Sequence, residues 1–95
     1  MNVRAHIFVS GKVQGVFFRV ETRREAIQRN LTGWVRNTSN GKVEAIFEGE
    51  KENVDALIDF CRTGPSGARV TAIDVRWETY ASEFNSFKIE RNFVL

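Results

Sequence analysis

Residues 34–48 read WVRNTSNGKVEAIFE, and this stretch carries the clearest structural signal in the chain. It holds two segments with strand-like composition, the first over residues 34–38 and the second over residues 43–47. Between them stands the pair Asn40-Gly41. Because both residues tolerate positive φ angles, this pair is the strongest short-range signal for a β-hairpin. The stretch therefore predicts two antiparallel strands joined by a turn.

The sequence before the hairpin predicts a strand, a loop and a helix. Apolar residues alternate with polar ones near the start of the chain, at Ala5, Ile7 and Val9, which is typical of a strand with one buried face. A loop with two glycines spans residues 11–18, and the composition then favours a helix from Arg19 to Leu31, which Gly33 ends. The predicted apolar stripe of that helix consists of Val20, Ile27 and Leu31, with Arg24 lying inside it.

The sequence after the hairpin predicts a second helix and two more strands. The helix runs from about Lys51 to Arg62, and its apolar positions have i, i+3, i+4, i+7 spacing: Val54, Leu57, Ile58 and Cys61. The breaker Gly64-Pro65-Ser66-Gly67 follows. Polar residues then alternate with Ile73, Val75 and Trp77, and a last short strand holds Phe87 and Ile89.

The predicted order is β-α-β-β-α-β with a short additional strand at the end. This order is typical of the α+β class and of the ferredoxin-like βαββαβ sandwich, an antiparallel sheet with two helices on one face. The 95 residues suffice for one domain and are too few for two. We therefore expect residues 1–95 to form a single domain.

Composition and charge exclude several classes of function. The net charge of +2 is too small to indicate binding to nucleic acid or to an anionic membrane. No apolar run near the start is long enough for a signal peptide or a membrane span. Cys61 is the only cysteine, so no disulfide can form within the chain, and a reducing compartment fits. We expect a cytoplasmic protein, and nothing in the sequence demands more than a monomer.

Most familiar catalytic patterns are missing. Neither the phosphate-binding P-loop nor the dinucleotide-binding glycine pattern is present. One histidine, His6, and one cysteine, Cys61, cannot supply a recognisable zinc site, so we expect no metal and no cofactor. Cys61 lies on an apolar helix stripe, which favours a core residue over a reactive thiol.

The loop before the first helix is the best candidate for a binding site. Residues 15–18 lead into a helix N-terminus, where free backbone N–H groups and the positive end of the helix dipole favour an anion. Arg19 follows at the junction, and its guanidinium matches a phosphate in a bidentate way. The second candidate is Asn37, at the end of a strand. An asparagine there is most often part of a turn, and the functional interpretation is that its amide orients a water molecule.

Two motifs resemble the signatures of the acylphosphatase family. Residues 11–19 read GKVQGVFFR and resemble the first signature, and GWVRN at residues 33–37 with NGKVE at 40–44 resembles the second. The loop at 64–70 and the strand at 87–89 are similar to the family as well, so the resemblance covers about residues 6–89. Two points depart from the family pattern: Phe17, where relatives often have a small residue, and Asn40, where aspartate is common.

The resemblance implies metal-independent hydrolysis of acyl phosphates to a carboxylate and inorganic phosphate. It implies that Arg19 and Asn37 are catalytic and that backbone N–H groups of five residues cradle the phosphate: Gly15, Val16, Phe17, Phe18 and Arg19. The expected partner is a small acyl phosphate, with inorganic phosphate as product and competitive inhibitor. Phe17 would narrow the mouth of the site.

Two alternatives to a hydrolase remain open from the residues alone. The first is a non-catalytic module that binds a phosphorylated metabolite, although such a module has no use for an amide that orients water. The second is RNA binding on the open face of the sheet, which requires exposed aromatic residues on the central strands and a basic surround. Phe8 and Ile46 interrupt the polar faces of their strands, but the aromatic strand signature of RNA-recognition domains is missing.

Overall fold

The computed structural model describes residues 1–91 and contains five strands and two helices. In chain order these are β1 (Asn2–Lys12), α1 (Phe18–Gln28), β2 (Thr32–Asn37), β3 (Val43–Glu50), α2 (Lys51–Thr63), β4 (Arg69–Glu78) and β5 (Phe87–Ile89). The predicted order of strands and helices is confirmed.

The strands form one sheet in the order β4-β1-β3-β2-β5. The pairs β4–β1, β1–β3 and β3–β2 are antiparallel, as predicted. Ala5, for example, lies opposite both Phe47 and Trp77. β5 differs, because it pairs in parallel with β2 through Gly33 opposite Phe87. A three-residue strand at an edge carries too little pattern to predict its direction.

Both helices pack on the same face of this sheet. The buried apolar residues of β1, β2 and β3 form one cluster with residues of α1 and α2. The predicted stripe of α2 is confirmed, since Val54, Leu57, Ile58 and Cys61 are all buried. The core is therefore a single layer between the sheet and the two helices.

The prediction for α1 was wrong in its bounds and in its buried face. The helix begins at Phe18 and ends at Gln28, and its buried residues are Phe18, Thr22 and Ala26. Val20 and Ile27, placed in the predicted stripe, are 51% and 48% exposed. The true stripe includes a threonine and begins one residue before the predicted helix, so hydrophobicity alone did not indicate it.

The end of α1 is fixed by a Schellman motif. Asn30 adopts a φ of 57°, and its N–H donates to the Ile27 carbonyl, while the Leu31 N–H donates to the Ala26 carbonyl. An asparagine tolerates this left-handed conformation better than most residues. Gly33, predicted to end the helix, instead lies inside β2.

The β2–β3 hairpin is confirmed, but its turn is longer than the Asn-Gly pair suggests. Residues 38–42 connect the strands, and only Gly41 of the pair has a positive φ, 88°. The Thr38 N–H donates to the Lys42 carbonyl at 2.9 Å, and the Thr38 hydroxyl accepts from the Lys42 N–H at 3.0 Å. Thr38 thus holds together the loop that follows Asn37.

The sheet face away from the helices is partly covered by the chain between β4 and β5. Glu48, on this face, is only 1% exposed and accepts hydrogen bonds from the N–H groups of Ala81 and Glu83 at 2.8 and 3.0 Å. At the β4 edge, Trp77 was expected to alternate inward, but it is 51% exposed, with the Lys51 ammonium 5.4 Å from the centre of its ring.

Candidate active site

The strand register brings the two candidate motifs to one edge of the sheet. Val43 at the start of β3 lies opposite Val9 of β1 and opposite Asn37 of β2. β1 and β2 therefore end at the same edge, two strand spacings apart, which is roughly 9–10 Å. Residues directly opposite each other point to the same face, so Asn37 points to the helix side of the sheet, as Val9 and Val43 do.

The loop between β1 and α1 has the backbone shape of an anion-binding nest. Gly15 has a φ of 75° and Phe17 a φ of 64°. Alternating left-handed residues turn successive N–H groups toward one point, as in known phosphate-binding loops. Among residues 1–91, no acceptor receives a hydrogen bond from the N–H groups of residues 15–18. These groups are thus available to an anion.

The first turn of α1 adds to the positive potential of this loop. Phe17 is the N-cap and provides no side-chain cap, and the first helical hydrogen bond runs from the Glu21 N–H to the Phe17 carbonyl. Arg19 is the second residue of the helix, where a cation opposes the helix dipole unless an anion lies nearby. The electrostatics of this turn therefore favour a bound anion.

Arg19 and Asn37 line one cavity. It has a volume of about 310 Å³, and its other lining residues are Val13, Gly15, Phe17, Phe18 and Val20. The side chains of the residues predicted to form the cradle differ in exposure: Phe18 is buried in the core, whereas Phe17 is 76% exposed. The structure thus brings the predicted arginine, the predicted asparagine and most of the predicted backbone cradle together.

Asn37 has an unusual environment for an amide. Its side chain is only 6% exposed, and its Oδ1 atom is buried without a hydrogen-bond donor among the described residues. An unsatisfied buried acceptor costs about 1–3 kcal/mol, and such groups are rare enough to require an explanation. An acceptor that stays unpaired within the protein can bind the O–H of a water molecule or of a ligand.

Gln14 links the cradle loop to the hairpin, a contact that the sequence motif contains but did not indicate. Its Nε2 atom donates to the carbonyl oxygens of Thr38 and Lys42, both at 2.9 Å. These bonds tie the start of the cradle loop to the hairpin that carries Asn37. The only signal in the sequence was an amide between Val13 and Gly15, too weak to indicate a partner 24 residues away.

The loop after α2 supports the cradle from the other side. A side-chain carbon at Gly64 would lie 2.5 Å from the Phe18 ring, so only glycine fits there. At Gly67, the same carbon would lie 3.4 Å from Val16. The breaker predicted from sequence thus also packs against the residues that shape the nest.

Other chemically active side chains lie outside this cavity. His6 points to the opposite face of the sheet, between the carboxylates of Glu44 and Glu78 at 2.6 and 3.0 Å. Cys61 is fully buried, as predicted, and burial raises the pKa of its thiol to about 12. Within residues 1–91, no group of three or more His, Cys, Asp and Glu side chains could hold a metal ion.

No helix in the described part of the chain is long and apolar enough to cross a membrane.

Comparison with known proteins identifies relatives along almost the whole chain. Residues 5–89 match the family model Acylphosphatase. A protein of Syntrophus aciditrophicus (strain SB) named Acylphosphatase is 56% identical over 89 residues, which cover 94% of this chain and 93% of that protein.

Solved structures agree with the sequence comparison. The structure of an acylphosphatase from Coxiella burnetii has a TM-score of 0.89 and 36% identity, over 94% of this chain and 93% of that chain. The crystal structure of acylphosphatase from Bacillus subtilis also has a TM-score of 0.89, with 33% identity over 93% of this chain and 98% of that chain.

Proposed function

Because the chain belongs to the acylphosphatase family, we propose that Arg19, Asn37 and the N–H groups of residues 15–19 form the active site with which it hydrolyses acyl phosphates. The observation that carries this assignment is the shared cavity. One cavity of about 310 Å³ is lined by Arg19, by Asn37 and by the cradle loop.

The reaction needs little covalent chemistry from the protein. A water oxygen attacks phosphorus, the bond between phosphorus and the acyl oxygen breaks, and its electron pair leaves with the carboxylate. Both protons of the water end on the phosphate product, H₂PO₄⁻, before it equilibrates with solvent. The leaving carboxylic acid has a pKa of about 4, so it departs as an anion without a general acid.

Arg19, the N–H groups of the nest and Asn37 position the reacting groups and stabilise the transition state. In the loose transition state of phosphoryl transfer, charge is spread over the phosphoryl oxygens, and catalysis is mainly positioning and electrostatics. The Arg19 guanidinium and the N–H groups of the nest bind these oxygens. The buried Oδ1 of Asn37 accepts a hydrogen bond from the attacking water and holds it in line with the breaking bond.

The same site accounts for the expected ligands. Inorganic phosphate carries the oxygens that the nest and Arg19 bind, so it competes with the substrate. Activity is independent of metal, because the leaving group needs no Lewis acid.

We also propose that the protein acts as a cytoplasmic monomer and that residues 1–95 form one functional domain.

The open face of the sheet does not support the RNA-binding alternative. The rings of Trp34 and Phe8 lie under the guanidinium groups of Arg36 and Arg76, at 4.8 and 5.1 Å. Each of these arginines is paired with a carboxylate, Arg36 with Glu44 and Arg76 with Asp74. A base stacking there would have to displace an arginine that is already paired, so residues 1–91 offer no free aromatic platform on this face.

The test is phosphate release from an aryl acyl phosphate in the presence of a chelator, with wild type and Asn37→Ala. We expect rapid release by the wild type and a kcat about 100-fold lower in Asn37→Ala, because a misplaced nucleophile loses about that factor. KM should change little, since the water is held only for the chemical step.

Asn53→Ala, on α2 and outside the cavity, is the matched control and should keep wild-type kcat. Asn37→Ala should also unfold no earlier than wild type in urea, because it removes an unsatisfied buried acceptor. A large rise in KM with kcat intact would make Asn37 a binding residue. Folded wild-type protein that binds phosphate but releases none would favour the phosphate-binding module.

A further inference from the structure

A second cavity adjoins the active site and shares part of its wall. It has a volume of about 570 Å³ and is lined by Gly15, Val16, Phe17, Glu21, Phe60, Pro65, Ser66 and Gly67. Gly15 and Phe17 line both this cavity and the one that holds Arg19 and Asn37. A molecule whose phosphate lies in the nest can therefore extend past Phe17 into the second cavity.

Phe17 occupies a conformation that a phenylalanine rarely adopts. Its φ of 64° and ψ of 22° are left-handed, and its side chain is 76% exposed. A bulky residue in this region is a genuine outlier and costs about 1–3 kcal/mol. A glycine would give the nest the same backbone without this cost, and burial does not repay it. Within residues 1–91 the ring is mostly exposed, and contact with a bound substrate would offset the cost of its backbone conformation.

The lining of the second cavity indicates the chemistry of that contact. Phe17, Phe60, Val16 and Pro65 provide apolar surface, and among the described lining residues the one ionisable group is the carboxylate of Glu21. Glu21 is paired with Arg24 at 3.4 Å, but that arginine does not line the cavity. An engineered cavity of about 150 Å³ suffices to bind benzene, so an aromatic or branched acyl group fits here. A second anionic group on the substrate would meet Glu21.

We propose that this second cavity is the subsite for the acyl group and that Phe17 selects acyl phosphates with a neutral, apolar acyl group. The proposal rests on the proposed function, because it places the phosphate in the nest next to Arg19. The phosphate end is common to all acyl phosphates, so discrimination among them arises where their acyl groups differ. Phe17 is a specificity-determining residue, and it takes no part in binding the phosphoryl oxygens through its side chain.

The experiment compares kcat/KM for benzoyl phosphate and acetyl phosphate in wild type, Phe17→Asn and Ser66→Trp. Asparagine tolerates the left-handed conformation, so Phe17→Asn keeps the nest while removing the ring. We expect wild type to favour benzoyl phosphate by 10-fold or more, and Phe17→Asn to lose most of that preference because kcat/KM falls at least about fivefold more for benzoyl phosphate than for acetyl phosphate. Ser66→Trp, which fills the cavity from its other wall, should lower the preference as well.

Ile27→Ala removes an exposed apolar side chain of α1 that does not line the second cavity, and it is the matched control, with the preference unchanged. The same preference in Phe17→Asn as in wild type would overturn the proposal. An equal loss with both substrates would also overturn it, since Phe17 would then act on the phosphate end. Failure of the proposed function would look different, because wild type would hydrolyse neither compound.

Discussion

Polar groups are paired with one another on the open face of the sheet, which is the face away from the helices, but several lack a protein partner at the edge where Arg19 and Asn37 lie. On the open face, buried or half-buried charges are paired with one another: Arg4 contacts Glu48, Glu78 and Glu83, and His6 bridges Glu44 and Glu78. At the edge, the buried Oδ1 of Asn37 and the N–H groups of residues 15–18 have no protein partner within residues 1–91.

This difference teaches which polar groups hold the fold together and which await a ligand. Buried polar groups in proteins are nearly always satisfied, and the open face follows that rule even for a carboxylate as deeply buried as Glu48. The Oδ1 of Asn37 and the N–H groups of the nest are exceptions that lie together beside Arg19. The other buried side-chain atoms without a hydrogen-bond partner within residues 1–91, Thr22 Oγ1 and Arg29 Nε, lie on and just after α1. Substitutions on the open face should therefore change stability and leave activity intact, whereas those at the edge should do the reverse.

The largest effect is expected at Arg19. Arg19→Lys and Arg19→Ala should each lower kcat/KM by at least about 100-fold, because hydrogen bonds to charged groups contribute about 1.5–3 kcal/mol each and a lysine cannot bind two oxygens as a fork. Urea unfolding checks that each variant is folded under the assay conditions. Arg24→Lys, exposed on the same helix, is the control and should retain wild-type kcat/KM. Turnover by Arg19→Lys near that of wild type would show that Arg19 does not need to bind two phosphate oxygens at once.

The opposite outcome is expected at Glu48. Glu48→Ala should lower the free energy of unfolding by about 2 kcal/mol or more, because two N–H groups lose a charged acceptor and Arg4 loses one of its three carboxylates. The kcat should stay within about twofold of wild type. Urea unfolding followed by circular dichroism gives the stability, and Asp59→Ala on the exposed side of α2 is the control. A loss of kcat without a loss of stability would contradict the division between face and edge.

The sequence predicted most of the fold because its signals are local. The α2 stripe, the β1 alternation and the hairpin around Asn40-Gly41 have periodic or short-range signals, and all three are confirmed. The failures were nonlocal or weakly patterned. The buried face of α1 includes Thr22, which hydrophobicity does not indicate, and the parallel pairing of β5 depends on a segment that crosses the open face.

Gln14 connects the two parts of the active site, and its loss should have an intermediate effect. Gln14→Ala removes two hydrogen bonds to the hairpin, each about 0.5–1.5 kcal/mol. The cradle and Asn37 would no longer be held at a fixed distance, so we expect kcat to fall about 10-fold with a smaller change in KM. Inhibition by inorganic phosphate provides a second measure, which a purely structural role would leave unchanged. Gln28→Ala, at the end of α1, is the control. Wild-type kcat in Gln14→Ala would show that the loop keeps its place without this clamp.

The part of the candidate site that lies within the two sequence motifs could be predicted from the sequence. Arg19 and Asn37 stood in two motifs, and the order of the strands already implied that the ends of β1 and β2 meet at one edge. The unsatisfied Oδ1 of Asn37, the clamp by Gln14 and the second cavity beside Phe17 could not be predicted, because each depends on how distant segments pack.

The smallest effect is expected at Glu78, and it should depend on pH. Hydrogen bonding to His6, and then to Arg4, lowers the pKa of the Glu78 carboxyl below its ordinary value of 4.5. A carboxyl group whose pKa is lowered by folding stabilises the folded state while it is ionised, and this contribution disappears as the pH falls through the folded-state pKa. Glu78→Gln should therefore cost less than about 1 kcal/mol at pH 7, since the side chain is 38% exposed. Urea unfolding of both proteins between pH 7 and pH 3 should show curves that converge below pH 4.5, with Asp59→Asn as the control for the loss of one exposed charge. A gap that stays constant over this range would show that Glu78 acts through packing, and the contrast between face and edge would then rest on Glu48 alone.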